Sequence, residues 1–159
     1  MKQTKIPHLA CLIISLSFCL STLFFSSCGQ TDAKSKKYNL ISDFLKTKHH
    51  YILDDKIKTI FVITDNGCFS CNKQFAQLAS EKIKNSNVLF IIIGSETNID
   101  ISLFPKSNAN ILFDNPEFVH EDIFKQSSIF RLKEHQIDTT IVISARELES
   151  QVELIKHSL

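Results

Sequence analysis

Apolar residues along this chain follow two rhythms, one helical and one continuous, and the switches between them mark out the elements. Leu40, Ile41, Phe44 and Leu45 fall at helical spacing and predict a helix from about Asn39 to Lys48. Thr59 to Thr64 is an unbroken β-branched and aromatic run, the pattern of a strand buried on both faces. Asp65-Asn66-Gly67 interrupts it, and Phe75, Leu78 and Ile83 then predict a helix from Phe69 to about Lys84. Val88 to Ile93 reads as a second buried strand, so the stretch forms a βαβ unit with an expected right-handed crossover.

The second half is patterned less sharply. Asn110 to Phe113 is a short strand candidate, and Asn115-Pro116 has the form of an N-cap and first-turn proline for a helix reaching about Lys125. Thr139 to Ser144 is the next strand. Leu148, Val152, Ile155 and Leu159 predict a closing amphipathic helix. Two readings stand for Ser127 to Gln136. If Ile129 to Leu132 is extended, it forms a hairpin with Thr139 to Ser144; if it is helical, the sheet has one strand fewer.

Ahead of these elements, Lys2 and Lys5 precede an uncharged run from Leu9 to Phe25, which is followed by Ser26, Ser27 and Cys28. This is the layout of an export leader. The competing reading is an uncleaved membrane helix, because the run reaches the lower limit of a span at ~17 residues. A span leaves the small residues and the cysteine, in that order, without a role. Phe25-Ser26-Ser27-Cys28 resembles a bacterial lipoprotein signal with Phe in place of the usual Leu. The resemblance implies that residues 1–27 are removed and that Cys28 becomes a lipid-modified first residue. Residues 28–37, polar and without apolar periodicity, would be a solvated tether, and 38–159 a single folded domain. The protein is then expected in the cell envelope, lipid-anchored and facing the periplasm or exterior. Several acyl chains on one cysteine would hold it there, since each buried methylene contributes only ~0.8 kcal/mol.

The 18 basic and 17 acidic side chains give a net charge of +1, and loss of Lys2 and Lys5 tips the balance just to the acidic side. Nothing in it points to nucleic acid as a partner. With Cys11 and Cys19 in the leader and Cys28 at its end, only Cys68 and Cys71 remain in the domain. A C-x-x-C pair where a strand yields to a helix points to redox chemistry. A thiolate at a helix N-terminus is favoured by unpaired N–H groups and the dipole, so the Cys68 thiol is expected below the ~8.5 of a free cysteine. Three residues along a helix, Cys71 shares its face.

These features together resemble the thioredoxin-like family, in layout most nearly the membrane-tethered disulfide reductases of the TlpA type. The likeness covers roughly Asn39 to Leu159, but its specific part is the strand, the turn, Cys68-Phe69-Ser70-Cys71 and the helix. It implies an α/β domain with a central mixed sheet flanked by helices. It makes Cys68 the nucleophile and Cys71 the resolving thiol, with protein thiols or disulfides as partners, no cofactor, and a monomer. The chain departs from the family at three places. Pro105 and Pro116 do not precede a suitable strand, so the family's cis-proline position falls on Thr139, Thr140 or Ser128. Its buried acid is replaced by Val62, and its tryptophan before the first cysteine by Gly67.

Two functions follow: a tethered thiol–disulfide oxidoreductase, more a reductant of exported proteins than an oxidant, or an accessory lipoprotein whose disulfide is structural. Metal is disfavoured, since one C-x-x-C supplies two ligands where four are usual. His49 and His50 read as a solvated helix end, and His120, His135 and His157 are scattered. Asp54, Asp55, Glu121 and Asp122 read as surface charge.

Overall fold

A computed structural model describes residues 28–94, 99–116, 122–147, 149–151 and 153. The leader, residues 1–27, lies outside the described residues, as do His120, Glu121, Leu148, Val152 and most of the closing helix. The chain divides into two compact units, residues 1–34 and residues 35–159. The second contains every element discussed below, apart from the start of the first helix.

Five strands form one mixed sheet. In chain order they are β1 (Thr59–Thr64), β2 (Val88–Ile93), β3 (Ile111–Asp114), β4 (Ser128–Lys133) and β5 (Gln136–Val142). Across the sheet the order is β3-β2-β1-β4-β5. β1, β2 and β3 are parallel, in register Phe61 with Phe90 and Phe90 with Ile111. β4 runs antiparallel to β1, pairing Ile60 with Phe130 and Val62 with Ser128. β5 returns antiparallel on β4 after a turn in which Glu134 and His135 both adopt positive φ, as a two-residue hairpin turn requires. The extended reading of Ile129 to Leu132 is therefore the one realised, and the sheet has its full hairpin.

Strand alternation divides the core into two layers. Phe61, Ile63, Phe90, Ile92 and Ile129 face the second helix, α2 (Phe69–Ser80), through Cys71, Phe75, Ala76 and Ala79. Ile60, Val62, Leu89, Ile91 and Phe130 face the first helix, α1 (Cys28–His49), through Ile41, Phe44 and Leu45. All six residues of both β1 and β2 are buried, which is why these strands read as continuous apolar runs. Aromatic pairs join the α2 layer, with Phe61 stacked on Phe90 at 5.4 Å and Phe75 5.8 Å from Phe61.

α1 begins at Cys28, not near Asn39. The segment before Asn39 has no apolar stripe to announce a helix, but it contains no proline, and Lys, Gln and Ala are good helix formers. The helix ends in a left-handed His50, and the Tyr51 N–H reaches back to the Leu45 carbonyl at 3.0 Å, a closure made without glycine. His49 is not solvated as expected. Its ring meets Phe44 edge-on at 5.4 Å, and its Nε2 lies 3.3 Å from the Asp114 carboxylate, within ion-pair distance but outside hydrogen-bond geometry. Between β3 and β4 the described residues form only a 3-10 turn, Asp122–Phe124, and residues 117–121 of the expected helix lie outside the described residues. Among the described residues no helix is long and apolar enough to cross a membrane.

Candidate functional site

The end of β1 builds the site. Thr64 is the last strand residue, and its hydroxyl accepts the Asn66 N–H at 2.9 Å, which starts the turn. Gly67 then takes φ +89°, a left-handed conformation in which a side chain would be strained. Gly94, at the end of β2, makes room for this turn: a Cβ there would lie 3.1 Å from Asp65 Cγ and 2.8 Å from Ile99 Cδ1. The chain leaves the turn at Cys68, the N-cap of α2, with extended φ and ψ of −77° and 105°.

Cys68 caps the helix with sulfur where serine or aspartate would use oxygen. Its Sγ accepts the backbone N–H of Cys71 at 3.3 Å and lies 3.4 Å from the Ser70 hydroxyl. The two cysteines are joined in a disulfide with Cα atoms 5.2 Å apart. They differ in access. Cys71 is 3 % exposed and belongs to the α2 core layer, whereas Cys68 is only partly buried. Phe69, between them, is 56 % exposed, which is unusual for so large an apolar side chain beside a core residue. The first turn of α2 has no acidic residue to oppose a negative sulfur.

Two polar side chains not anticipated in the sequence hold this end of the sheet. Asn72 is buried on the helix, and its Nδ2 donates to the Asn66 carbonyl at 2.7 Å, tying α2 to the turn before it. A polar residue four positions after Cys68, beside an apolar stripe, is the only trace it leaves in the sequence. Ser127 is also buried. Its hydroxyl accepts the Thr64 N–H at 3.0 Å and donates to the Thr64 carbonyl at 3.3 Å, replacing the ladder bonds that end at Val62 and Ser128. No sequence signal marks it, because the contact depends on which strand flanks β1.

The remaining candidates are placed plainly. β4 is the strand antiparallel to β1, so the position discussed for a cis-proline is Ser128, not Thr139 or Thr140. No cis peptide occurs among the described residues. Val62 belongs to the α1 layer, on the face of the sheet opposite Cys71. His135 is tied by Nδ1 to the Tyr38 hydroxyl at 3.2 Å and lies with Nε2 3.4 Å from Asp55, far along the chain from the cysteine pair. Asp54, Asp55 and Asp122 are exposed. Among the described residues no group of three His, Cys, Asp or Glu side chains forms a metal set. Burial, with Asp55 nearby for Tyr38 and Asp54 for Tyr51, pushes both tyrosine hydroxyls above their ordinary value of 10.0.

This arrangement can exchange disulfides: one sulfur is partly exposed and accepts the Cys71 N–H, and its partner is buried one turn behind it. Comparison with family models, with curated proteins and with solved structures finds no match to this chain.

Proposed function

We propose that the protein is a thioredoxin-like thiol–disulfide oxidoreductase that reduces disulfides of exported proteins while tethered by lipid at Cys28. The observation that carries the reading is the asymmetric pair at the start of α2, with Cys68 accessible and receiving the Cys71 N–H. The parallel β1–β2 pair, the antiparallel β4–β5 hairpin beside β1, and the helix bearing the cysteines are the parts such a domain requires.

In the reduced protein the Cys68 thiolate attacks one sulfur of a substrate disulfide. A Cys68–substrate disulfide forms, and the other substrate sulfur leaves as a thiolate that takes a proton. Cys71 gives up its proton and attacks Cys68 Sγ, which forms the Cys68–Cys71 disulfide seen here and releases the second substrate thiol. Two electrons pass to the substrate, and a second dithiol must return them. Phe69 offers an apolar contact beside the reacting sulfur.

Insulin reduction by the intact protein, with Cys68→Ser as control, tests the reading. Equal rates for the two would remove it. Cys71→Ser should instead trap a mixed disulfide through Cys68. The tether is tested separately by mass spectrometry of Cys28 and by release of Cys28→Ala from the membrane fraction; an unmodified Cys28 would leave the redox reading intact but end the lipoprotein one.

A second reading, an accessory lipoprotein with a structural bridge and no turnover, draws on Ser128 and Val62. With serine at the cis-proline position and no carboxylate under the pair, two aids to turnover in the resembled family are missing.

A further inference from the structure

Asn66-Gly67 is the one Asn-Gly step in the chain, and it lies in the turn that delivers Cys68 to α2. An asparagine followed by glycine can react with its own backbone, because the next residue has no side chain to shield its amide nitrogen. Here both partners face solvent. Asn66 and Gly67 are exposed, and the position of a Cβ on Gly67 is open space. Among the described residues neither the Asn66 carboxamide nor the Gly67 N–H makes a hydrogen bond; only the Asn66 backbone is held, its N–H by Thr64 and its carbonyl by Asn72. The other described asparagines are engaged or obstructed. The carboxamides of Asn72, Asn85, Asn108 and Asn110 are hydrogen-bonded. Asn39 and Asn87 precede branched side chains, and Asn115 precedes a proline, which has no N–H.

We propose that Asn66 is a site of spontaneous deamidation through a succinimide with Gly67, and that its conversion makes Cys68 a weaker acid and slows disulfide exchange. Base removes the Gly67 amide proton, and the nitrogen attacks Asn66 Cγ. The new Cγ–N bond replaces Cγ–Nδ2, whose nitrogen takes up a proton and leaves as ammonia. Water then opens the ring. Cleavage at Cγ gives aspartate, and cleavage at the backbone carbonyl carbon gives isoaspartate; the net change is one water consumed and one ammonia released, with no change of oxidation state.

Either product places a carboxylate two residues before the sulfur, at a helix start whose first turn carries no acid. A like charge nearby disfavours the thiolate. In the isoaspartate the main chain also runs through Cγ, one methylene longer, so the turn held by Asn72 no longer fits its latch. The conversion itself needs no partner and no redox activity; only its effect on exchange rests on the oxidoreductase reading.

The test is ageing of the full-length chain in detergent at mildly alkaline pH, with each asparagine followed by peptide mass spectrometry and the aspartyl and isoaspartyl peptides separated by chromatography. Asn66 should convert first, giving both products. Asn66→Gln, which would need a six-membered ring, should stay an amide, and Asn72→Ala, which frees the Asn66 carbonyl, should convert severalfold faster. In Asn66→Asp and in aged protein, the midpoint for Cys68 alkylation should rise by about half a pH unit, the effect of one exposed charge at about 7 Å. An intact Asn66 after another asparagine has converted would overturn the proposal, as would an unmoved Cys68 midpoint in Asn66→Asp. Insulin reduction by fresh, unconverted protein checks the redox reading separately. Its absence, with Asn66 converting and the midpoint shifting, would end that reading and leave the modification site and its effect on the thiol in place.

Discussion

Reduction of the Cys68–Cys71 bridge is the perturbation whose size follows most directly from the structure. The bridge joins residues only three apart, so the loop it closes holds about four residues. In the chain-entropy description a loop of about four residues lowers the entropy of the unfolded state by about 6 cal/mol/K, equivalent to about 2 kcal/mol at 25 °C. Against this, a thiolate on Cys68 gains about 0.3 to 1 kcal/mol from the end of α2 in the folded reduced form. The oxidised protein should therefore be more stable than the reduced one by only about 1 to 2 kcal/mol. By the same cycle, loop entropy lets the fold favour the disulfide over that of an unfolded chain by about 40 mV at most. Urea unfolding of oxidised and reduced protein at neutral pH reads the difference as a shift in midpoint at unchanged slope. A gap above about 4 kcal/mol would refute the reasoning, because the fold would then depend on the bridge. A reduced form more stable by over about 1 kcal/mol would refute it from the other side.

Other predictions test the frame around the pair. Ser127→Ala removes the hydroxyl that accepts the buried Thr64 N–H and should cost about 1 to 3 kcal/mol, while Ser127→Thr, which retains a hydroxyl, should cost less; equal losses would show that the hydrogen bonds are not the cause. Gly67→Ala meets no atom within 4 Å, so its penalty should be the left-handed backbone alone, about 1 to 2 kcal/mol in thermal or urea unfolding. Both tyrosines of the chain are held protonated by burial. Absorbance titration should then show each tyrosine less than half ionised at pH 10 in the native state. Their raised folded values mean that stability from these groups is constant below pH 10 and declines as pH rises beyond it; a tyrosine titrating at or below 10 before unfolding would contradict the placement.

Much of the frame was legible in the sequence because burial on both faces leaves a plain mark. β1 and β2 were readable to the residue from Thr59 to Thr64 and Val88 to Ile93, since parallel central strands carry no polar alternation. The position of Cys68 at a strand-to-helix turn was readable from Asp65-Asn66-Gly67, whose chemistry stops a strand. The hairpin was not settled, because Glu134-His135 lacks the Asn-Gly form of a two-residue turn and relies on two non-glycine residues at positive φ. The early start of α1 was hidden, as a helix without an apolar stripe has no period to detect. Ser127 and Asn72 act on residues whose nearness depends on strand order or helix docking, so neither role could be found from spacing alone. His49 was misjudged for the same reason, its contact with Asp114 arising only when β3 is laid beside β2.

The central claim is that one sulfur is accessible and acidic while its partner is hidden. Alkylation of the freshly reduced protein across pH, with rates assigned to each cysteine by peptide mass spectrometry, measures this directly. The account predicts that Cys68 reacts with a midpoint below the ~8.5 of a free thiol and that Cys71 lags far behind it. A Cys68 midpoint at or above that value, or faster modification of Cys71, would contradict it.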